Sequence, residues 1–146
     1  MTTLYPPESE WKPGATFPGK AGQVGWQRFI SASQQGLAPV QLHLLLEPMD
    51  ESVAYGLTHV FSVGPQQAKL WFGSTGRAVV WLNGKEVVRD LVAAGLMADE
   101  ISAPIKLEGG WNQLLVKVCN NWGDKWAFSA SATDPSGRLL PGLRRP

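Results

Sequence analysis

The chain has 146 residues, with 13 Lys plus Arg against 12 Asp plus Glu and a net charge of +1. That length suits one ordinary domain of roughly 100–150 residues. A charge so close to zero gives no steering toward nucleic acid or an anionic membrane surface, so neither is expected as a partner. The 16 Gly and 11 Pro interrupt long helices and punctuate short strands, which, with 7 Trp and only 17% charged residues, points to an all-β domain.

Residues 1–36 are rich in Pro, Gly, Ser and Gln, with Trp11, Phe17, Trp26 and Phe29 as bulky anchors. They read as an irregular wrap holding one or two short strands. "MTTLYPPESEW" lacks the basic start and apolar stretch of an export signal, and no apolar run reaches the ~18–20 residues of a membrane span. "PVQLHLLLEP" is bounded by prolines and suits a short strand, with a helical alternative over residues 42–47.

From residue 53 the pattern sharpens. "VAYGLTHVFSV" is rich in β-formers, and "AKLWFGS" alternates Ala68, Leu70 and Phe72 against Lys69, Trp71 and Gly73, predicting the first set inward. After the turn Ser74-Thr75-Gly76, Ala78, Val80 and Leu82 share one face and Val79 and Trp81 the other. Asn83-Gly84 then supplies a type I′ hairpin turn with Lys85 to Val88 returning. "RDLVAAGLMADE" is helix-compatible but carries Gly95, so at most a short helix or turn is expected. "EISAPIKL" places Ile101, Ala103, Ile105 and Leu107 inward, and the outward Pro104 suits an edge strand. "EGGWN" reads as a turn, "QLLVKVCN" and "WAFSASATD" as two further strands around "NWGDK", and "DPSG" as a turn. Short, regularly spaced strands indicate a single β-sandwich or barrel domain.

The pairing of "VWLNGKEV" with "LEGGWNQLLVKV", inside the series of segments over residues 53–143, resembles the jelly-roll domains of the galactose-binding-like superfamily. That group includes sugar-binding domains of glycoside hydrolases and many carbohydrate-binding modules. The resemblance implies a jelly-roll β-sandwich and an accessory role in a secreted polysaccharide-processing system, hence an extracellular location. The first hairpin turn of such domains often carries acidic residues, and this chain has Ser74-Thr75-Gly76 instead.

A carbohydrate site combines a rigid aromatic face, which stacks on the C–H face of a sugar, with polar groups for the hydroxyls. Trp71 and Trp81 lie on outward strand faces, where they form a stacking platform or lie beneath the N-terminal wrap; the apolar anchors of residues 1–36 favour the wrap. In the loop "NNWGDKW", Asn120, Asn121 and Asp124 surround Trp122 with hydrogen-bonding groups, and the alternative is a polar hairpin loop with a chance aromatic. Trp126 shares a face with Phe128 and Ala130 and is expected in the core. Trp111 is expected to plug the end of the sandwich, and Trp11 and Trp26 to anchor the wrap or line a groove with Trp71.

Glu47, Asp50 and Glu51 offer oxygen ligands for a structural calcium, although a solvated acidic turn explains them more simply. No cofactor is expected otherwise. Cys119 is the only cysteine, which excludes an intrachain disulfide, and His43 and His59 have no second ligand spaced from them. No nucleophile–base pair, carboxylate pair or metal triad can be placed, so no catalysis is expected. The reading is a non-catalytic module that binds a polysaccharide or oligosaccharide through Trp122, Trp71 and Trp81 with Asn120, Asn121 and Asp124. The alternative is a structural or protein-interaction sandwich that docks to a catalytic domain or to a second copy of itself.

Overall fold

The structure, a computed structural model, describes residues 5–9, 12, 14–30, 39–47, 50–92, 100–120 and 125–140. A single helical turn, α1 (Pro6–Ser9), precedes a hairpin of β1 (Thr16–Gly19) and β2 (Gly22–Gly25). The body consists of β3 (Val40–Gln41), β4 (Ser52–Ser62), β5 (Gln66–Ser74), β6 (Ala78–Leu82), β7 (Lys85–Asp90), β8 (Ile101–Leu107), β9 (Gly110–Asn120) and β10 (Ala127–Thr133). They form two antiparallel sheets, β3-β10-β5-β8 and β4-β9-β6-β7, which pack as a β-sandwich.

The core is built as the period-2 pattern dictates. Ala68, Leu70 and Phe72 of β5, Ile105 and Leu107 of β8 and Phe128 of β10 face Ala78, Val80 and Leu82 of β6 and Leu114, Val116 and Val118 of β9. Phe72 and Phe128 stack with centroids 6.5 Å apart. Gly56 of β4 gives the Phe128 ring its seat, because a Cβ there would stand 2.9 Å from Phe128 Cζ. Trp126 is buried within this core, as its alternation predicts. Pro104 lies on β8, the last strand of its sheet, where a missing N–H breaks no ladder.

Segment 40–47 divides between the two readings open to it, with a two-residue strand followed by a 3₁₀ turn over Leu42–Leu44. The helix-compatible segment falls largely on residues 93–99, outside the described residues.

The two motifs that carry the resemblance are joined by a side-chain network. Asn83 and Gly84 both take positive φ (50° and 78°), as a type I′ turn requires. The Asn83 N–H donates to the Gln113 carbonyl and its Oδ1 accepts from the Gln113 N–H, both at 2.8 Å. Asn83 Nδ2 donates to Asn112 Oδ1 at 2.9 Å. Asn112 is fully buried; its Oδ1 also accepts from the Glu108 N–H, and its Nδ2 donates to the Glu108 and Gly110 carbonyls. Asn112 therefore closes this end of the sandwich, and Trp111 does not. Strand parity places Trp111 outward with Gln113 and Leu115, where it is 55% exposed and meets Phe61 edge-on at 5.3 Å.

Candidate functional site

The hairpin of β5 and β6 does not stay in one sheet. β5 pairs with β10 and β8, while β6 pairs with β9 and β7. Trp71 and Trp81 both point outward, but from opposite sheets, so they lie on opposite sides of the sandwich and form no common platform. Of the two alternatives open to these rings, the shared stacking platform is thereby excluded.

On the outer face of the first sheet the register sets out a grid. Ser131 and Ser102 stand directly across from Trp71 on either side, Thr133 and Pro104 across from Lys69, and Ser129 across from Gly73. The indole is fixed by its Nε1–H, which donates to Thr133 Oγ1 at 2.9 Å, and Lys69 Nζ rests 4.3 Å from the ring centroid. An exposed cation–π contact is worth about 0.5–1 kcal/mol, so a ligand displaces that ammonium at small cost. Beyond Trp71, Ser129 is 7% exposed, and its hydroxyl has no hydrogen-bond partner among the described residues. That oxygen is shut off from solvent, so it offers no direct contact to a ligand on this face. A half-buried indole with a rigid setting, flanked by Ser102 and Ser131 and by Lys69 and Thr133, can stack on a sugar ring and bond its hydroxyls.

The outer face of the second sheet follows a different rule. Lys117 of β9 points outward, opposite Val79 of β6 and Tyr55 of β4, yet is only 2% exposed. Val79 and Leu115 beside it are buried as well. The N-terminal segment supplies the counter-charge. Lys117 Nζ and the Tyr55 hydroxyl each donate to Glu8 Oε1 at 2.7 Å, and the Tyr5 N–H donates to the same oxygen at 3.2 Å. The ammonium lies 5.0 Å from the Tyr5 ring centroid and 5.8 Å from that of Tyr55. Burial by itself would raise the Glu8 carboxyl, but the bonds from Lys117, Tyr55 and the Tyr5 backbone outweigh it and hold the group below the usual carboxylate range. Tyr55 is pushed far above a free phenol by burial and by its bond to the Glu8 carboxylate.

Trp81 is half-buried on this second face, across from Leu115. Asn120 has the inward parity of Val118 and is buried, so it presents no hydrogen-bonding group on the surface. Trp122, Asn121 and Asp124 lie outside the described residues, as does Trp11. Trp71 and Trp81 are both half-buried, on opposite faces; Trp71 is retained as the candidate for its polar surroundings, and neither Trp81 nor Asn120 joins it.

Glu47, Asp50 and Glu51 are exposed, and among the described residues no group of three acidic, His or Cys side chains is placed to hold a metal. His43 is tied to the backbone of Trp126, its N–H donating to that carbonyl at 3.1 Å and its ring Nδ1 at the same distance from it. Burial pushes the Cys119 thiol up, away from the reactive thiolate form. No helix among the described residues is long and apolar enough to cross a membrane.

Sequence reasoning passed over Glu8 and Lys117. A signal for both was present: Val79 and Leu115 are apolar residues at outward positions on neighbouring strands, which marks an outer face that something covers.

The sequence matches no family model and no curated protein. Among solved structures, an anti-sigma factor domain-containing protein superposes with a TM-score of 0.53 at 13% identity, covering 68% of this chain and 35% of that one. The β-glucosidase from Kluyveromyces marxianus, solved in complex with glucose, gives 0.50 at 13% identity, covering 66% of this chain and 13% of that one. The chain thus spans about a third of the first protein's length and about an eighth of the second's. At such identities the likeness shows a shared β-sandwich fold and no more.

Proposed function

We propose that the protein is a non-catalytic carbohydrate-binding module whose site is the outer face of β5, β8 and β10. Trp71 is the stacking ring, and Ser131, Ser102, Lys69 and Thr133 surround it with groups suited to sugar hydroxyls. The observation that carries this reading is the setting of Trp71, an indole anchored by a hydrogen bond to Thr133 on paired strands, with Ser102 and Ser131 directly across from it. The resemblance to galactose-binding-like jelly rolls and the fold shared with part of a β-glucosidase support the same class of ligand. An accessory role beside a catalytic domain, in a secreted system, accords with that resemblance.

A second reading, docking to a protein partner, has its own observation. Trp111, 55% exposed, and Phe61 form an apolar pair where β4 ends and β9 begins, on the side of the sandwich away from Trp71. Calorimetric titration with neutral soluble plant and bacterial polysaccharides separates the two readings when Trp71→Ala and Trp111→Ala are run beside the parent. Under the carbohydrate reading one glycan gives heat that vanishes in Trp71→Ala and persists in Trp111→Ala. No heat from any glycan with the folded parent, or heat insensitive to Trp71→Ala, would sink it.

A further inference from the structure

The contact between the N-terminal segment and the second sheet has the form of an occupied binding site. Two donors from different strands, Lys117 Nζ of β9 and the Tyr55 hydroxyl of β4, converge at 2.7 Å on one carboxylate oxygen. That oxygen belongs to Glu8, carried on a single helical turn with no buried residue of its own. Besides this carboxylate the segment offers the Tyr5 ring, which meets Tyr55 edge-on at 6.4 Å and lies by the Lys117 ammonium, whereas the donors sit on strands of the sheet body.

A lysine buried on a sheet surface is costly unless a carboxylate meets it. Lifting the turn away returns both charges to water, so the closed state is held by a balance that another carboxylate can tip. A ligand shifts such an equilibrium by as much as it prefers the open state, and Lys117 with Tyr55 supplies that preference only once Glu8 has withdrawn.

We infer that Lys117 and Tyr55 form a carboxylate-binding site which the chain's own Glu8 occupies, and that the uronate group of an acidic glycan displaces Glu8 and releases the N-terminal segment. The assignment to a glycan carboxylate rests on the carbohydrate reading above; the carboxylate chemistry itself rests on the two donors. The protein would then meet glycans on two faces, neutral sugar at Trp71 and acidic sugar beneath the N-terminal turn.

The test is a titration of the isotopically labelled full chain, followed by amide NMR, with oligogalacturonate, a neutral galacto-oligosaccharide and a glutamate-rich peptide. Oligogalacturonate is expected to move the amides of Tyr5, Glu8 and Ser9 toward the positions that Tyr5 and Ser9 hold in Glu8→Ala, and the neutral sugar to leave them in place. Glu8→Ala removes the internal competitor and is expected to tighten oligogalacturonate binding about tenfold, while Lys117→Met abolishes it. Should Glu8→Ala fail to fold, the parent titration decides alone. Strap amides that stay put at saturating oligogalacturonate, or that respond equally to the peptide, overturn the proposal. If neutral sugar still moves the Trp71 indole in that case, the carbohydrate reading survives it. If oligogalacturonate opens the strap while neutral sugar leaves Trp71 untouched, the carboxylate site stands and the Trp71 site falls.

Discussion

The two outer faces of this sandwich are built to opposite rules. On the first sheet Trp71 stands among Ser102, Ser131, Lys69 and Thr133, side chains that keep company with water and leave a ring half-open. On the second, Val79 and Leu115 flank a lysine that is almost out of water, and a carboxylate from the N-terminal segment comes down to meet it. Both sets share outward parity on neighbouring strands. Among the described residues, what separates them is the turn of Glu8 laid over Lys117, so parity assigns a residue to a side of a sheet, and covering decides whether that position is surface or interior.

Removing each face's lysine should show the contrast most strongly. Lys117→Ala strands the Glu8 carboxylate and empties a buried position, which should cost about 3 kcal/mol in urea unfolding. Lys69→Ala loses only an exposed cation–π contact, at most about 1 kcal/mol. Equal losses would mean that the two faces are alike. A finer comparison removes one hydroxyl from each. Tyr55→Phe deletes a bond to a charged group and should cost about 2 kcal/mol, and Thr133→Val a neutral one at about 1 kcal/mol.

Acid should act on the covered face alone. The folded-state pKa of Glu8 is depressed, so its contribution is complete above the ordinary carboxylate value of 4.5 and disappears as pH falls through the lower folded value. The groups facing it are Lys117 of β9, Tyr55 of β4 and Tyr5 of its own segment, with Arg89 of β7 further off. Glu86 and Asp134 are depressed too, by bonds from Arg89 and from Ser136 with the Arg138 backbone, so the informative quantity is a difference. The stability gap between parent and Glu8→Gln should be widest near pH 7 and close toward pH 3; a constant gap would remove Glu8 from the account. The smallest effect belongs to neither face. Trp111→Ala, at the exposed end, should change stability by no more than about 0.5 kcal/mol.

Much of this was legible in the chain. The alternation in β5, β6 and β8 assigned the core residues, the edge position of Pro104 and the turn at Asn83-Gly84. The same alternation, carried back from Val118 through Leu114, would have placed Trp111 outward; reading "EGGWN" as a turn stopped the count too early. The sheet change between Trp71 and Trp81 was not legible, because a short turn joins strands of one sheet or of two with the same residues. The burial of Lys117 was legible only in part: Val79 and Leu115 mark a covered outer face, but the partner lies 109 positions away along the chain. Asn112 looked like an ordinary turn residue, and only the approach of the Asn83 hairpin to the Glu108 turn gives its amide a set of bonds to make.

The most direct test of the central claim follows the indole N–H signals of the seven tryptophans while a binding glycan is added, with Trp71 assigned through Trp71→Phe. A site on the first sheet predicts that the Trp71 signal moves most, since its Nε1–H sits at the ligand's edge and bonds Thr133. A Trp71 signal that stays fixed while that of Trp111 or Trp81 shifts would contradict it and transfer the site to another face.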